Sequence, residues 1–134
     1  MIRKAELWDA KKITDLLQRF HSQSNQPQEF IFADMFSFIE EMIETQIVIV
    51  GDSSVICGIV VASPLNSNWR TSMELYWYAE DGSGVRLLTA FEKASKKMGA
   101  DEVRLAHFVQ NPKVGRYLIK KGYCLDEIVY SRRT

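Results

Sequence analysis

The sequence predicts one α/β domain built on a mixed sheet, and three observations carry that expectation. Two β-branched runs, residues 47–50 and 55–61, are joined by a short polar link and read as an antiparallel hairpin. Further on, an aromatic-rich strand pattern, a glycine turn, a helical repeat and another apolar run follow in order. That succession is a βαβ unit, which needs a parallel strand pair with a right-handed crossover. The 134 residues hold one core and not two, so residues 1–134 are expected as a single domain. A hairpin and a crossover in one small chain require a mixed sheet with helices on both faces.

Each element follows from its local pattern. Residues 2–5 are expected as a short first strand, and Asp9 as the N-cap of a helix over residues 10–20, where Ile13, Leu16, Leu17 and Phe20 recur at helical spacing. The polar stretch 22–28, with Pro27, ends it. A second helix over 33–45 turns Met35, Phe36, Ile39, Met42 and Ile43 to one side and leaves Glu40, Glu41 and Glu44 wet. After the hairpin and a loop at 64–68, residues 71–79 form a central strand rich in aromatics. Gly82, Ser83 and Gly84 turn the chain into a third helix, whose Leu87, Leu88, Phe91 and Met98 are apolar and whose stop is Gly99. Residues 103–108 are expected as the next strand. Asn111 and Pro112 open a fourth helix that ends near Gly122, and residues 123–131 are expected as the last strand. The predicted order is β-α-α-β-β-β-α-β-α-β.

Bulk chemistry narrows the function classes. The 17 basic and 17 acidic residues cancel, which argues against nucleic acid or an anionic membrane as the main partner. Cys57 and Cys124 lack metal-ligand spacing and are expected as buried free thiols of a reducing compartment. With only two histidines, no metal site is expected. No apolar run approaches the roughly 18 residues of a membrane span, and the first residues lack a signal-peptide pattern, so the expected location is the cytoplasm.

Three stretches together resemble the GNAT superfamily of N-acetyltransferases. Gly82, Ser83, Gly84, Val85, Arg86, Leu87 and Leu88 look like that family's Gly-x-Gly-x-x-Leu-Leu pyrophosphate turn. Asn111 and Pro112, with Gly115, Arg116, Tyr117, Lys121, Gly122 and Tyr123, look like its Asn-Pro…Arg…Lys-x-Gly-Phe segment. The opening Ile2, Arg3, Lys4, Ala5 and Asp9 resemble its first strand and helix start, and the small size resembles acetyltransferase-like proteins of phages and their hosts. The implied fold is the GNAT-like acyl-CoA N-acyltransferase fold, with acetyl-CoA as co-substrate and a small-molecule or protein amine as acceptor.

Physical chemistry agrees with that turn on its own account. Helix-opening amides without partners and the positive end of the helix dipole suit a diphosphate, and Ser83 and Arg86 add possible donors. The sequence also departs from the family. Ala79 stands where Gln or Arg is usual three residues before the first glycine, and the loop is short. Leu118 fills the slot of the usual acid tyrosine, with Tyr117 one residue, about 100°, around the helix.

The resemblance implies direct attack by an amine on the thioester. Backbone N–H groups around Tyr76, Trp77 and Tyr78 would hold the coenzyme and the developing oxyanion, and Asn111 would contact the pantetheine arm. Alternation places Glu74, Tyr76, Tyr78 and Glu80 on one strand face. Glu74 is the first candidate base, because a central position desolvates its carboxylate, and His107 is the second. Tyr117 is the candidate acid, and packing explains it equally well. Phe30 and Phe32 are expected against the acceptor, with core packing as their alternative. A non-catalytic binding module of the same fold is the competing reading, and a nucleic-acid-modifying acyltransferase with a basic groove of Lys96, Lys97, Arg116, Lys120 and Lys121 is a third. Residues 127–132 are expected as an edge able to pair in a homodimer.

Overall fold

The structure, a computed structural model, describes residues 1–134. Five strands form one sheet in the spatial order of their sequence: β1 (Arg3–Lys4), β2 (Ile47–Gly51), β3 (Ser54–Ala62), β4 (Arg70–Ala79) and β5 (Glu102–Arg104). Each neighbouring pair among the first four is antiparallel and β4 runs parallel to β5, so the expected mixed sheet is present. The helices are α1 (Ala10–Gln23), α2 (Phe32–Thr45), α3 (Gly84–Lys97) and α4 (Pro112–Lys121).

The pleat of the hairpin sorts two cores. Val48, Val50, Val55 and Cys57 point to one face and pack under α1 and α2 with Ile13, Leu16, Leu17, Ile39 and Met42. Ile47, Ile49, Ile56 and Val60 point to the other face, against Leu87, Leu88 and Phe91 of α3 and Leu118 of α4. Each such fully buried side chain stabilises the fold by about 1.5–3 kcal/mol before chain entropy is counted. Gly58 lets α3 sit close to the sheet: a Cβ there would lie 2.6 Å from the Phe91 ring and 2.4 Å from the Met73 carbonyl oxygen.

Several expectations are corrected. Asp9 begins α1, but its buried carboxylate caps nothing on that helix; it accepts from the Glu6 N–H at 2.8 Å and from both Arg3 guanidinium nitrogens, at 2.7 and 2.9 Å. That places it on a short 3-10 turn, Leu7–Asp9, ahead of α1. The strand expected over 103–108 pairs only through Glu102–Arg104, and the last strand, over 123–131, does not form. Leu125, Ile128, Val129 and Tyr130 stay exposed, and the segment is held by side chains instead, Arg104 pairing with Asp126 and Glu127. The edge expected to support a homodimer is therefore not a strand. Cys124, on the same segment, is exposed, while Cys57 is buried and its thiol is pushed up to about 12 by that burial.

Candidate active site

The site begins with one extra residue. Along the β3–β4 ladder Cys57 faces Tyr76, yet its neighbour Gly58 faces Glu74, leaving Leu75 without a partner. This is a β-bulge, and its effect is to reset the backbone phase of β4. Before it, the Arg70 carbonyl accepts from Asp101 N–H on the β5 side. After it, the Glu80 N–H donates to Ser53 O on the β3 side. The period of two then turns Tyr76 and Tyr78 backbone groups toward β3 and those of Leu75, Trp77 and Ala79 away from it. Pairing with β5 stops at Met73–Arg104, so beyond that point these groups face a gap.

Glu74 stands where the strands part. Its carboxylate crosses the gap and accepts from the Ala106 N–H at 3.3 Å. Burial in the wall lifts its pKa to about 7, against the smaller opposing effect of that hydrogen bond. The bulge takes Glu74 out of the alternation expected from sequence. Tyr76 and Tyr78 share the α1–α2 face as predicted, and Glu80 sits at the surface, where Arg19 holds it with two bonds and the Tyr78 hydroxyl donates a third.

The gap widens into a cleft of about 1010 Å³. One end is walled by the α1–α2 connection, with His21, Phe30 and Asp34; the middle by Glu74, Tyr76 and Trp77; the other end by Ala79, Gly84, Asn111 and Val114. A shallower hollow of about 380 Å³ adjoins that far end over Asn111, Lys113 and Arg116. The larger cleft is the candidate site, because it opens where β4 and β5 part and has Glu74 in its wall.

The glycine corner is only partly free. Gly82 has φ +76°, the left-handed region that turns β4 into α3. Leu87 N–H is the first in α3 to find a backbone acceptor, Ser83 O, so the amides of Gly84, Val85 and Arg86 remain open. Gly84 has room beside it, a Cβ meeting only Ala79 and Trp77 at an ordinary 3.8 Å. The Trp77 indole N–H donates to Gly84 O at 3.0 Å and ties strand to turn.

Ser83 was expected to be a ligand donor and is not free to be one. Buried, it gives both its N–H and its hydroxyl to Asp81 and shares a hydrogen bond with Ser54. Asp81 also accepts from Ser53 N–H, and these bonds, the Ser83 hydroxyl foremost, pull its carboxyl down to about 2. An internal carboxylate thus occupies part of the helix-opening anion site.

Of the other predicted residues, His107 lines the cleft, but from the coil after β5; its ring covers Gly115, where a Cβ would lie 2.6 Å from Nε2. Its Nδ1 lies 2.9 Å from the Phe108 carbonyl oxygen. Asn111 and Phe30 line the cleft; Phe32 does not, stacking on Phe36 instead at 6.2 Å. Tyr117 packs with the α3-side core beside Leu118, and neither side chain lines the cleft. Glu29, Asp34 and the Ala106 amide were missed. Glu29 lies in polar loop sequence without periodicity, Asp34 sits in the first turn of α2 off its apolar stripe, and a backbone donor leaves no mark in a side-chain pattern. The chain has no group of three or more side chains able to hold a metal ion, and no helix long and apolar enough to cross a membrane.

No family model matches this sequence, and no curated protein does. Solved structures match closely in shape. A Clostridium acetobutylicum protein described as a predicted acetyltransferase, solved with acetyl-CoA, has a TM-score of 0.76 at 12% identity, over 99% of this chain and 95% of its own. Glucosamine-6-phosphate N-acetyltransferase from Arabidopsis thaliana gives 0.69 at 19%, over 99% and 97%. A protein called a transcriptional regulator from Bacillus halodurans gives 0.75 at 13%, over 100% and 99%. At such identities shape is shared and chemistry is not thereby transferred. With full coverage, a mixed sheet parted at its parallel pair and a glycine turn at the parting, the chain has the fold of the GNAT acetyltransferases.

Proposed function

We propose that the protein is an N-acetyltransferase that moves an acetyl group from acetyl-CoA to an amine by direct attack. The observation that carries the reading is Glu74: a carboxyl with its pKa near 7, aimed into a cleft that opens where β4 and β5 part. A group so tuned is charged often enough at neutral pH to accept a proton, and basic enough to hold it.

The residues present fit the coenzyme. Gap-facing groups of Leu75, Trp77 and Ala79 offer a ladder to the amides of a pantetheine arm, and Asn111 faces them across the cleft. Open amides of Gly84, Val85 and Arg86, with the Arg86 side chain, would take the diphosphate. The coenzyme supplies the activated acetyl carbonyl and a thiolate leaving group. Glu74 would take a proton from the acceptor ammonium to free the attacking lone pair, or from the amine nitrogen as its bond to the carbonyl carbon forms, directly or through a water. A gap-facing N–H of β4 stabilises charge on the carbonyl oxygen. With Tyr117 packed away, solvent protonates the departing thiolate.

A second reading is a non-catalytic module of the same fold. Asp81 filling part of the anion site favours it, as does the absence of a tyrosine at the position of buried Leu118. Calorimetric titration with acetyl-CoA, followed by thiol release in the presence of amines, separates the two. Transferase activity requires binding, and release that collapses in Glu74→Gln. Binding without release from any amine would leave the module, and no binding at all would defeat the acetyl-CoA reading.

A further inference from the structure

We propose that the acceptor is a dication: an amine joined by an apolar stem to a second positive charge, and bearing neither carboxylate nor phosphate. This rests on the transferase reading and names the substrate class of the same cleft.

The argument is the charge inventory of the walls. Among 27 lining residues there is no lysine and no arginine, although a random lining of that size from this chain would hold about three. Three carboxyl side chains are present, Glu29, Asp34 and Glu74. Glu29 and Asp34 make no ion pair within the chain. Nearby cations are placed elsewhere: Arg19 is committed to Glu80, while Lys113 and Arg116 border the hollow at the Asn111 end.

The cleft is therefore polarised along its length. Lys113 and Arg116 border the Asn111 end, and Glu29 and Asp34 lie at the α1–α2 end. The same stretch of wall carries the apolar side chains Leu17, Phe20, Phe30, Met35 and Leu75, alongside the polar His21, Asn25 and Gln28. An anionic acceptor would find no lysine or arginine there and would face the carboxylates of Glu29, Asp34 and Glu74. A dication finds a partner at each end: the outer charge anchors at Glu29 and Asp34, and the inner nitrogen reaches Glu74, which removes its proton. The apolar stem buries against the rings between them.

The test uses the full chain with four probes: 1,5-diaminopentane, pentylamine, 6-aminohexanoate and glucosamine 6-phosphate. In thiol-release assays, kcat/KM for the diamine should exceed that for pentylamine by about tenfold, the scale of two solvent-facing charge contacts, and exceed both anionic probes by more. In the double variant Glu29→Gln, Asp34→Asn, the ratio of diamine to pentylamine should fall to about one. An anionic probe used as well as the diamine, or a ratio unchanged in the double variant, overturns the proposal. Amide chemical-shift titration without coenzyme gives a readout independent of turnover. If no amine releases thiol, the transferase reading fails, yet the binding order still decides: diamine tighter than 6-aminohexanoate at residues 29–34 supports the dication, and equal or reversed order refutes it.

Discussion

From Arg70 to Met73, β4 is an ordinary interior strand, with β3 on one side and β5 on the other; from Glu74 to Ala79 it keeps β3 and loses β5. The paired half has buried Ser72 bonded to Ser95 of α3 at 2.7 Å and Thr71 bonded to Glu102 at 2.9 Å. The opened half has a carboxyl shifted to about 7, an indole bonded to the glycine turn and backbone groups facing a cleft. What separates them is the extra residue at the Cys57–Gly58 step. A sheet that stayed in register would have no room for a ligand between its strands, and a single insertion both opens it and turns new N–H groups into the opening. The site is thus a property of sheet geometry more than of any one side chain.

The largest effect should come from the base of the opened half. Glu74→Gln should lower kcat/KM by about 100-fold or more while leaving coenzyme affinity near wild type. In the wild type the rate should rise with pH and level off above an apparent pKa of about 7, since Glu74 works as a base only when ionised. Stability carries the opposite sign. Its folded pKa is raised, so the native state holds a proton that the unfolded chain has lost, and stability falls as pH climbs from about 4.5 to about 7. Glu74→Gln should remove that fall and gain on the order of 1–3 kcal/mol above pH 7, read by urea melts at two pH values. An unchanged pH profile in the variant would show that another group is the base.

Next in size is Gly84→Ala. Its backbone is not in the left-handed region and its Cβ would make only ordinary contacts, so the variant should fold with an unshifted melt. Coenzyme affinity should fall about tenfold, because a methyl group would stand where the diphosphate meets the amides. Gly58→Ala sharpens the comparison from the sheet side. Added atoms would press on Phe91 and the Met73 carbonyl beside the bulge, and should cost about 1–3 kcal/mol in denaturant melts. Tyr117→Phe should matter least, changing kcat by less than about twofold, since the ring packs away from the cleft. A large loss there would restore it as the acid.

Much of the frame was legible because it is written in local periodicity. Residues 47–50 and 55–61 are β-branched runs on either side of a short polar link, and the four helices show their apolar stripes and their stops, Gly122 with φ +106° among them. What the sequence hid is non-local. Leu75 looks like any strand residue, and only its lack of a partner on β3 makes it a bulge. Residues 123–131 carry strand-like side chains, but pairing needs an edge to receive them, and β5 ends at Arg104. The desolvation of Glu74 was legible from its central strand position. The commitment of Ser83 to Asp81 was not, since both residues also suit a ligand turn.

The claim that the opened half of β4 receives the coenzyme is tested most directly by titrating coenzyme A into isotope-labelled protein and following backbone amides. The account predicts shifts at Leu75, Trp77 and Ala79 and at Gly84 to Arg86, with Thr71 to Met73 left still. Shifts confined to other surfaces, or none at millimolar coenzyme, would contradict it.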